Sequence, residues 1–227
     1  MDTNESVNAK EQAVNHSDLM SDETGKTTEE NTKASAALDA GITPEAAMEL
    51  LKKYNEDLFH HEHAETVGKL MRYYAEKYDP ENADFWQVVG ILHDLDWEKW
   101  PDPVQHTVKT AELLKEASVN PKVAHAIETH NSDNNKELPV PKEKMECVLW
   151  ACDELSGLIG AVILMYPSKS AADLNLKSLK KKYKDKRFAA GCDRENIARG
   201  AALNGMELDE LFESMITAVK TIEGVAQ

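Results

Sequence analysis

The 227-residue chain has no basic excess: 41 Asp and Glu stand against 26 Lys and Arg, a formal charge of −15. Such a surface repels a polyanion except at a local basic patch, so general nucleic-acid binding is not expected. Cysteine is scarce as well. Cys147, Cys152 and Cys192 are odd in number and form no CxxC pair. They read as reduced thiols of a cytoplasmic protein, Cys147 and Cys152 as core residues. No stretch approaches the ~20 apolar residues that cross a bilayer, so no membrane contact is expected. Residues 1–10 lack the basic and apolar stretches of a secretory signal and the arginines of a transit peptide. Also missing are a Gly-rich phosphate loop, a convincing alternating strand, and a repeat of fixed period.

Residues 1–40 contain no aromatic side chain, nine Asp or Glu, three Lys and many Asn, Ser and Thr. Too little apolar surface is present there to offset the entropy of ordering, so this segment reads as a disordered acidic tail. His16 falls in it and is discounted as a ligand. Residues 41–227 read as a single all-α domain built from helices at their apolar periodicity. The first begins at Thr43-Pro44-Glu45, with Thr as N-cap and Pro at the first helical position. Further helices are expected over about 58–78, 82–93, 104–117, 121–130, 143–166, 194–203 and 208–222. The long segment from 143 carries Val148, Leu149, Cys152, Leu155 and Ile159, and reads as core because Glu146, Asp153 and Glu154 interrupt it.

The chemistry lies in polar residues placed where a core should be. His63 shares a helical stripe with Val67, Leu70, Met71 and Tyr74. His93 and Asp94 end the most apolar helix, and Asp153 falls in the middle of the long apolar one. Each has an ordinary alternative: a hydrogen-bonded core histidine, a chance dipeptide, a carboxylate paired with a buried cation. Together they suggest one shared solution, because a buried carboxylate is costly unless paired or bound to a cation. That solution is a metal ion with mixed imidazole and carboxylate ligands.

His63 in HAETVGKLM, His93-Asp94 in GILHDLDWEKWPD and Asp153 in ACDELSGLI, in this order, resemble the HD phosphohydrolase superfamily. The resemblance covers roughly residues 44–165. The chain is also similar to a small bacterial subgroup of HD hydrolases through HDLDWEKWPD, PSKS and KSLKKKYKDKRFAAG. The resemblance implies an α-helical bundle holding a divalent metal (Fe, Mn, Co, Zn or Mg) and hydrolysis of phosphate esters or anhydrides, nucleotides among them. His60 and His61 compete with His63 for the first ligand position; the family spacing and the apolar face select His63. In the dinuclear branch two intervening histidines hold a second ion bridged by Asp94. His106 in HTVKTAELLKE and His130 in HAIETH match those positions. Val123, Ile127 and His130 share a face, whereas His125 points elsewhere and reads as a surface residue. His106 flanks the stripe of its own helix. One metal, with His106 and His130 binding substrate phosphate, stays open as the alternative.

For catalysis, Asp94 fixes the ion, Asp96 or Glu98 is a candidate proton donor to the leaving group, and Lys99 a candidate phosphate partner. Residues 168–187 hold eight Lys or Arg against two Asp, reversing the charge of the chain. A solvated helix face explains such a run as readily as a binding wall. The resemblance to the subgroup covers Ser168, Lys169, Lys177 and Lys186, followed by Arg194, and makes these the candidate binders of a small phosphorylated substrate. Two other classes remain open: an HD-fold di-iron oxygenase and a non-catalytic nucleotide-binding regulatory module. A homodimer is compatible with the apolar C-terminal helix.

Overall fold

Three helices organise the chain: α2 (Leu58–Tyr78) packs against both α3 (Ala83–Leu92) and α6 (Lys144–Leu164). The computed structural model describes residues 37–226. The remaining helices are α1 (Pro44–Lys52), α4 (Val108–Glu116), α5 (Pro121–Thr129), α7 (Leu176–Lys184), α8 (Arg194–Leu203) and α9 (Leu208–Ile222). Among the described residues there is no strand, and the domain is all-α. Most of the sequence expectation for residues 1–40 lies outside the described residues. Its last part is corrected: Ala40 is buried, its carbonyl accepts from Asn120 N at 2.9 Å, and Leu38 N donates to Asn82 Oδ1.

Caps start the helices as the sequence indicates. Thr43 Oγ1 accepts from Ala46 N ahead of Pro44, and Asp57 caps α2 by accepting from Phe59 N. Glu143 and Glu146 form a reciprocal capping box on α6, which satisfies two donors that would otherwise be orphaned.

The centre of the domain is the crossing of α2 and α3. Val67, Leu70 and Met71 on one side, with Val88, Val89 and Leu92 on the other, are fully buried. Each such side chain contributes about 1.5–3 kcal/mol of burial. Gly68 and Gly90 make the crossing this close: a Cβ on Gly90 would lie 2.9 Å from Gly68 Cα and 2.9 Å from Val67 O. On the far side α2 packs against α6 and α9, α6 against α8, and α5 against α3, α4 and α6.

By length and composition alone α6 is long and apolar enough to cross a membrane, which corrects the reading that no stretch approaches that length. Its most apolar window is 67% buried inside the fold. Helices on several sides supply the apolar environment that lipid would otherwise provide.

Boundaries differ from the sequence reading where ligand candidates sit. His93 and His130 are the C-caps of α3 and α5 rather than their last full members. α4 begins at Val108, not 104, because residues 102–107 close into turns, with Gln105 N and His106 N both donating to Asp102 O. Thr107 then adopts φ 67°.

Gly90→Ala forces α2 and α3 apart against backbone atoms that cannot yield. It is expected to destabilise the domain by about 1–3 kcal/mol, read as a lower urea midpoint at unchanged slope. An unshifted midpoint would show that the crossing is looser than described.

Candidate metal centre

Five segments of the chain deliver six donor side chains to one place. His63 comes from the second turn of α2, His93 and Asp94 from the end of α3, and Asp153 from the middle of α6. His106 comes from the turn before α4 and His130 from the C-cap of α5. The donors form two groups that share Asp94: His63, His93, Asp94 and Asp153, and Asp94, His106 and His130. Within each group one ligand atom per residue lies within 4.8 Å of all the others.

The two carboxylate oxygens of Asp94 divide between the groups. Oδ2 lies 3.3 Å from His93 Nε2 and 3.8 Å from His63 Nε2. Oδ1 lies 3.4 Å from His106 Nε2 and 3.9 Å from His130 Nε2. Asp153 Oδ1 is 3.2 Å from His63 Nε2 and 3.5 Å from His93 Nε2. Donors at about 2.1 Å from a common ion in tetrahedral array are separated by about 3.4 Å. The observed spacings match that requirement.

Tautomers make the same point independently. His93 Nδ1 donates to Gly90 O at 2.8 Å, and His130 Nδ1 to Ile127 O at 2.5 Å. His106 Nδ1 donates to Asp96 Oδ1 at 2.8 Å. A neutral imidazole that donates from Nδ1 keeps a bare lone pair on Nε2. With both rings neutral, His106 Nε2 and His130 Nε2 face each other at 3.2 Å as two acceptors, a contact that a cation between them would relieve. The donor set fits a divalent cation of the kind bound by imidazole and carboxylate.

Electrostatics show the same demand. Burial opposes charge on His93, yet Asp94 and Asp153 hold its pKa well above the ordinary imidazole value. Burial likewise opposes ionisation of both aspartates, but His93 on Asp94, and His63 with His93 on Asp153, keep their pKa values depressed. Without a metal, a proton on His93 serves as the cation. His130 is the opposite case: burial and the neighbouring His106 push its pKa down to about 4, so it stays neutral with its lone pair available.

The other expected site residues fall elsewhere or take other roles. Asp96 is fully buried; Oδ1 accepts from His106 and Oδ2 from Thr110 N at 3.0 Å. It positions His106 and is not placed to protonate a leaving group. Glu98 accepts from Glu56 N, Asp57 N and His60 Nδ1. Those bonds lower its pKa to about 2, which makes it a poor proton donor. Lys99 Nζ reaches Lys53 O and lies over the Tyr54 ring. His60 and His61 bond to Glu98 and Asn55 O and stay outside the cluster, and His125 is 59% exposed.

The candidate phosphate wall is not brought to the donors. Lys169, Lys177 and Lys186 are exposed, and Ser168 Oγ donates to Asp173. The lysines of α7 line a groove of their own with Leu176. Arg194 spends its guanidinium on the carbonyls of Tyr183, Ala189, Cys192, Phe188 and Asp185, clamping the loop before α8.

Two buried asparagines escaped the sequence reading. Asn131 Nδ2 donates to Pro103 O and His106 O, and Asn55 Nδ2 to Leu95 O, pinning the two loops that carry ligands. Asparagine beside a predicted helix end was the only signal for either.

Residues 61–158 match the family model of the HD domain. The chain thus carries an HD domain, the domain that defines a superfamily of metal-dependent hydrolases. Searches of curated proteins and of solved structures returned no match.

Asp96→Ala frees the His106 ring and is expected to weaken metal binding at the Asp94–His106–His130 group about 10–100-fold. Titration calorimetry should show the other group unaffected; equal loss at both would overturn this division. Glu98→Gln should leave metal content unchanged and cost stability at neutral pH. Because the Glu98 pKa falls from 4.5 to about 2 on folding, its contribution is present above the former and lost as pH drops through the latter. Wild-type and variant denaturation midpoints should therefore converge over that interval.

Proposed function

We propose that this HD-domain chain is a metal-dependent phosphohydrolase that cleaves a phosphate ester or anhydride in a small phosphorylated metabolite. The observation that carries the reading is Asp94, whose two oxygens each belong to a different group of imidazole donors. His63, His93, Asp94 and Asp153 would hold one divalent cation, and Asp94, His106 and His130 a second. Bound there, such cations supply Lewis acidity, acidifying water and neutralising the charge that develops on phosphoryl oxygens.

The chain's own residues determine the rest. Asp94 and Asp153 bring two negative charges against the donors, so the loaded site is left with net positive charge for a phosphoryl dianion. His93 is fully buried and closes the floor of the site. The side chains of Asp153 and Asp94 are 25% and 19% exposed, so substrate approaches from their side. Asp96 holds His106 in one tautomer, and the Gly90 and Ile127 carbonyls do the same for His93 and His130. Orientation is thus set before substrate arrives, which removes a reorganisation cost from the reaction.

Protein stripped of metal and reconstituted with Mn, Fe, Co, Zn or Mg should hydrolyse members of a broad panel of phosphorylated metabolites. Asp94→Ala should lower kcat by about 10³-fold, roughly 4 kcal/mol of barrier, and abolish tight metal binding at both groups. Inertness toward the whole panel with every metal would refute the proposal, and iron-dependent dioxygen uptake would move the site to the oxygenase class.

A further inference from the structure

A cavity of about 380 Å³ opens beside the metal centre between α2, α6 and α9, and His63 forms part of its wall. From His63 outward the lining is apolar: Ile159, Ile163, Val219 and Ile222, with Phe59 and Leu164 at the mouth. Phe59 stacks parallel to the His63 ring at 6.3 Å between centroids. Phe59 and Leu164 are 62% and 68% exposed, and their neighbours Leu58 and Met165 are 71% and 55% exposed. Large apolar side chains held open to water beside a cavity are characteristic of ligand sites. Gly160 adds room, because a Cβ there would meet no atom within 4 Å.

The polar groups of the wall do not suit a nucleotide. Ser156 Oγ is spent on Asp153 O, and Glu223 accepts from Ala171 N. Among the described residues Lys69 is the only basic side chain on the wall, and Glu65 pairs with it at 2.6 Å. Glu62 and Glu223 leave the lining net acidic, so further phosphates entering it would be repelled.

We infer that this cavity binds the organic part of the substrate, and that this part is an uncharged apolar group attached to a single phosphate. The inference rests on the phosphohydrolase reading for the phosphate and on the cavity for the remainder. An alkyl chain of increasing length would displace water from Ile159, Ile163, Val219 and Ile222 in turn while its phosphate stays at the donors of His63 and Asp153. Each buried methylene is worth about 0.8 kcal/mol, or roughly a three- to fourfold change.

The test uses the full chain, metal-reconstituted, with methyl, butyl, hexyl and octyl phosphate for turnover and with methyl- and octylphosphonate for calorimetric binding. The phosphonates have no P–O–C bond to cleave and report binding alone. Expected is a kcat/KM that climbs roughly three- to fourfold per methylene until the cavity is full, and octylphosphonate binding at least tenfold tighter than methylphosphonate. Gly160→Leu, whose Cβ would meet no atom within 4 Å, should reduce both preferences at least tenfold with no drop in Tm. Leu164→Gln at the mouth should reduce them less. A flat chain-length profile, better turnover of a nucleoside monophosphate than of octyl phosphate, or a Gly160→Leu protein that keeps its preference would each overturn the inference. A variant that changes only the oligomeric state would also overturn it, because the cavity would then be a contact between copies. Inert esters combined with intact chain-length-dependent phosphonate binding would sustain the cavity and overturn the hydrolase reading instead.

Discussion

Two carboxylates, Asp94 and Asp153, face the same buried imidazole, and most of the structure is arranged around that fact. Asp94 Oδ2 and Asp153 Oδ1 lie 3.3 and 3.5 Å from His93 Nε2, which water does not reach. Taking two anions out of water costs several kcal/mol each unless a cation is supplied. The fold supplies the place for one by packing α3 and α6 against α2. Those contacts cannot slide: the Gly68–Gly90 crossing fixes how deep His63 and His93 sit relative to each other. Stability and site geometry therefore depend on the same helix crossing.

Each ligand is then fixed by a second contact. His93 and His130 use the carbonyl three residues back, an arrangement open to a histidine at a helix end. His106 has no such carbonyl, since it precedes α4, and Asp96 takes that role. The loop that presents His106 carries a β-branched residue at positive φ, Thr107, a conformation that costs about 1–3 kcal/mol. Asn131 bonds to the carbonyls of Pro103 and His106 and helps hold that strained turn. The hydroxyls of Thr107, Thr110 and Ser132, buried in the same segments, find no partner among the described residues. Strain and unmet polar groups are concentrated beside the second donor group, where the local fold is held for its ligands rather than for its own stability.

The acidic charge of the chain and the lysines of α7 separate in space. The lysines line their own groove on α7, whereas the cavity next to His63 is apolar with carboxylates. Under the proposed function, an anionic substrate would meet its positive charge at the candidate metal centre, not along the path into it. Such an arrangement would admit one phosphate and disfavour a chain of them, which is how the proposed substrate follows from the electrostatics of the surface.

The helices other than α7, whose stretch read only as a lysine-rich segment, and four ligands were legible in the sequence because each is a local pattern. Apolar periodicity located α2, α8 and α9 at their observed bounds, and a His or Asp on an apolar stripe is conspicuous wherever the stripe is read. His130 shared a face with Val123 and Ile127 and was found in the same way. His106 lay beyond periodicity, because it sits in a turn stabilised by Asp102 and Asn131 rather than on the helix that follows. Asp96, Glu98 and Arg194 were legible as charged residues but not in their roles. Whether a carboxylate donates a proton or anchors a neighbour depends on which donors surround it, and those came from residues 10 to 42 positions away. The cavity of α2, α6 and α9 is likewise a product of tertiary structure alone. Its walls are ordinary core residues in the sequence, and only the missing side chain at Gly160 and the spacing of three helices turn them into a space.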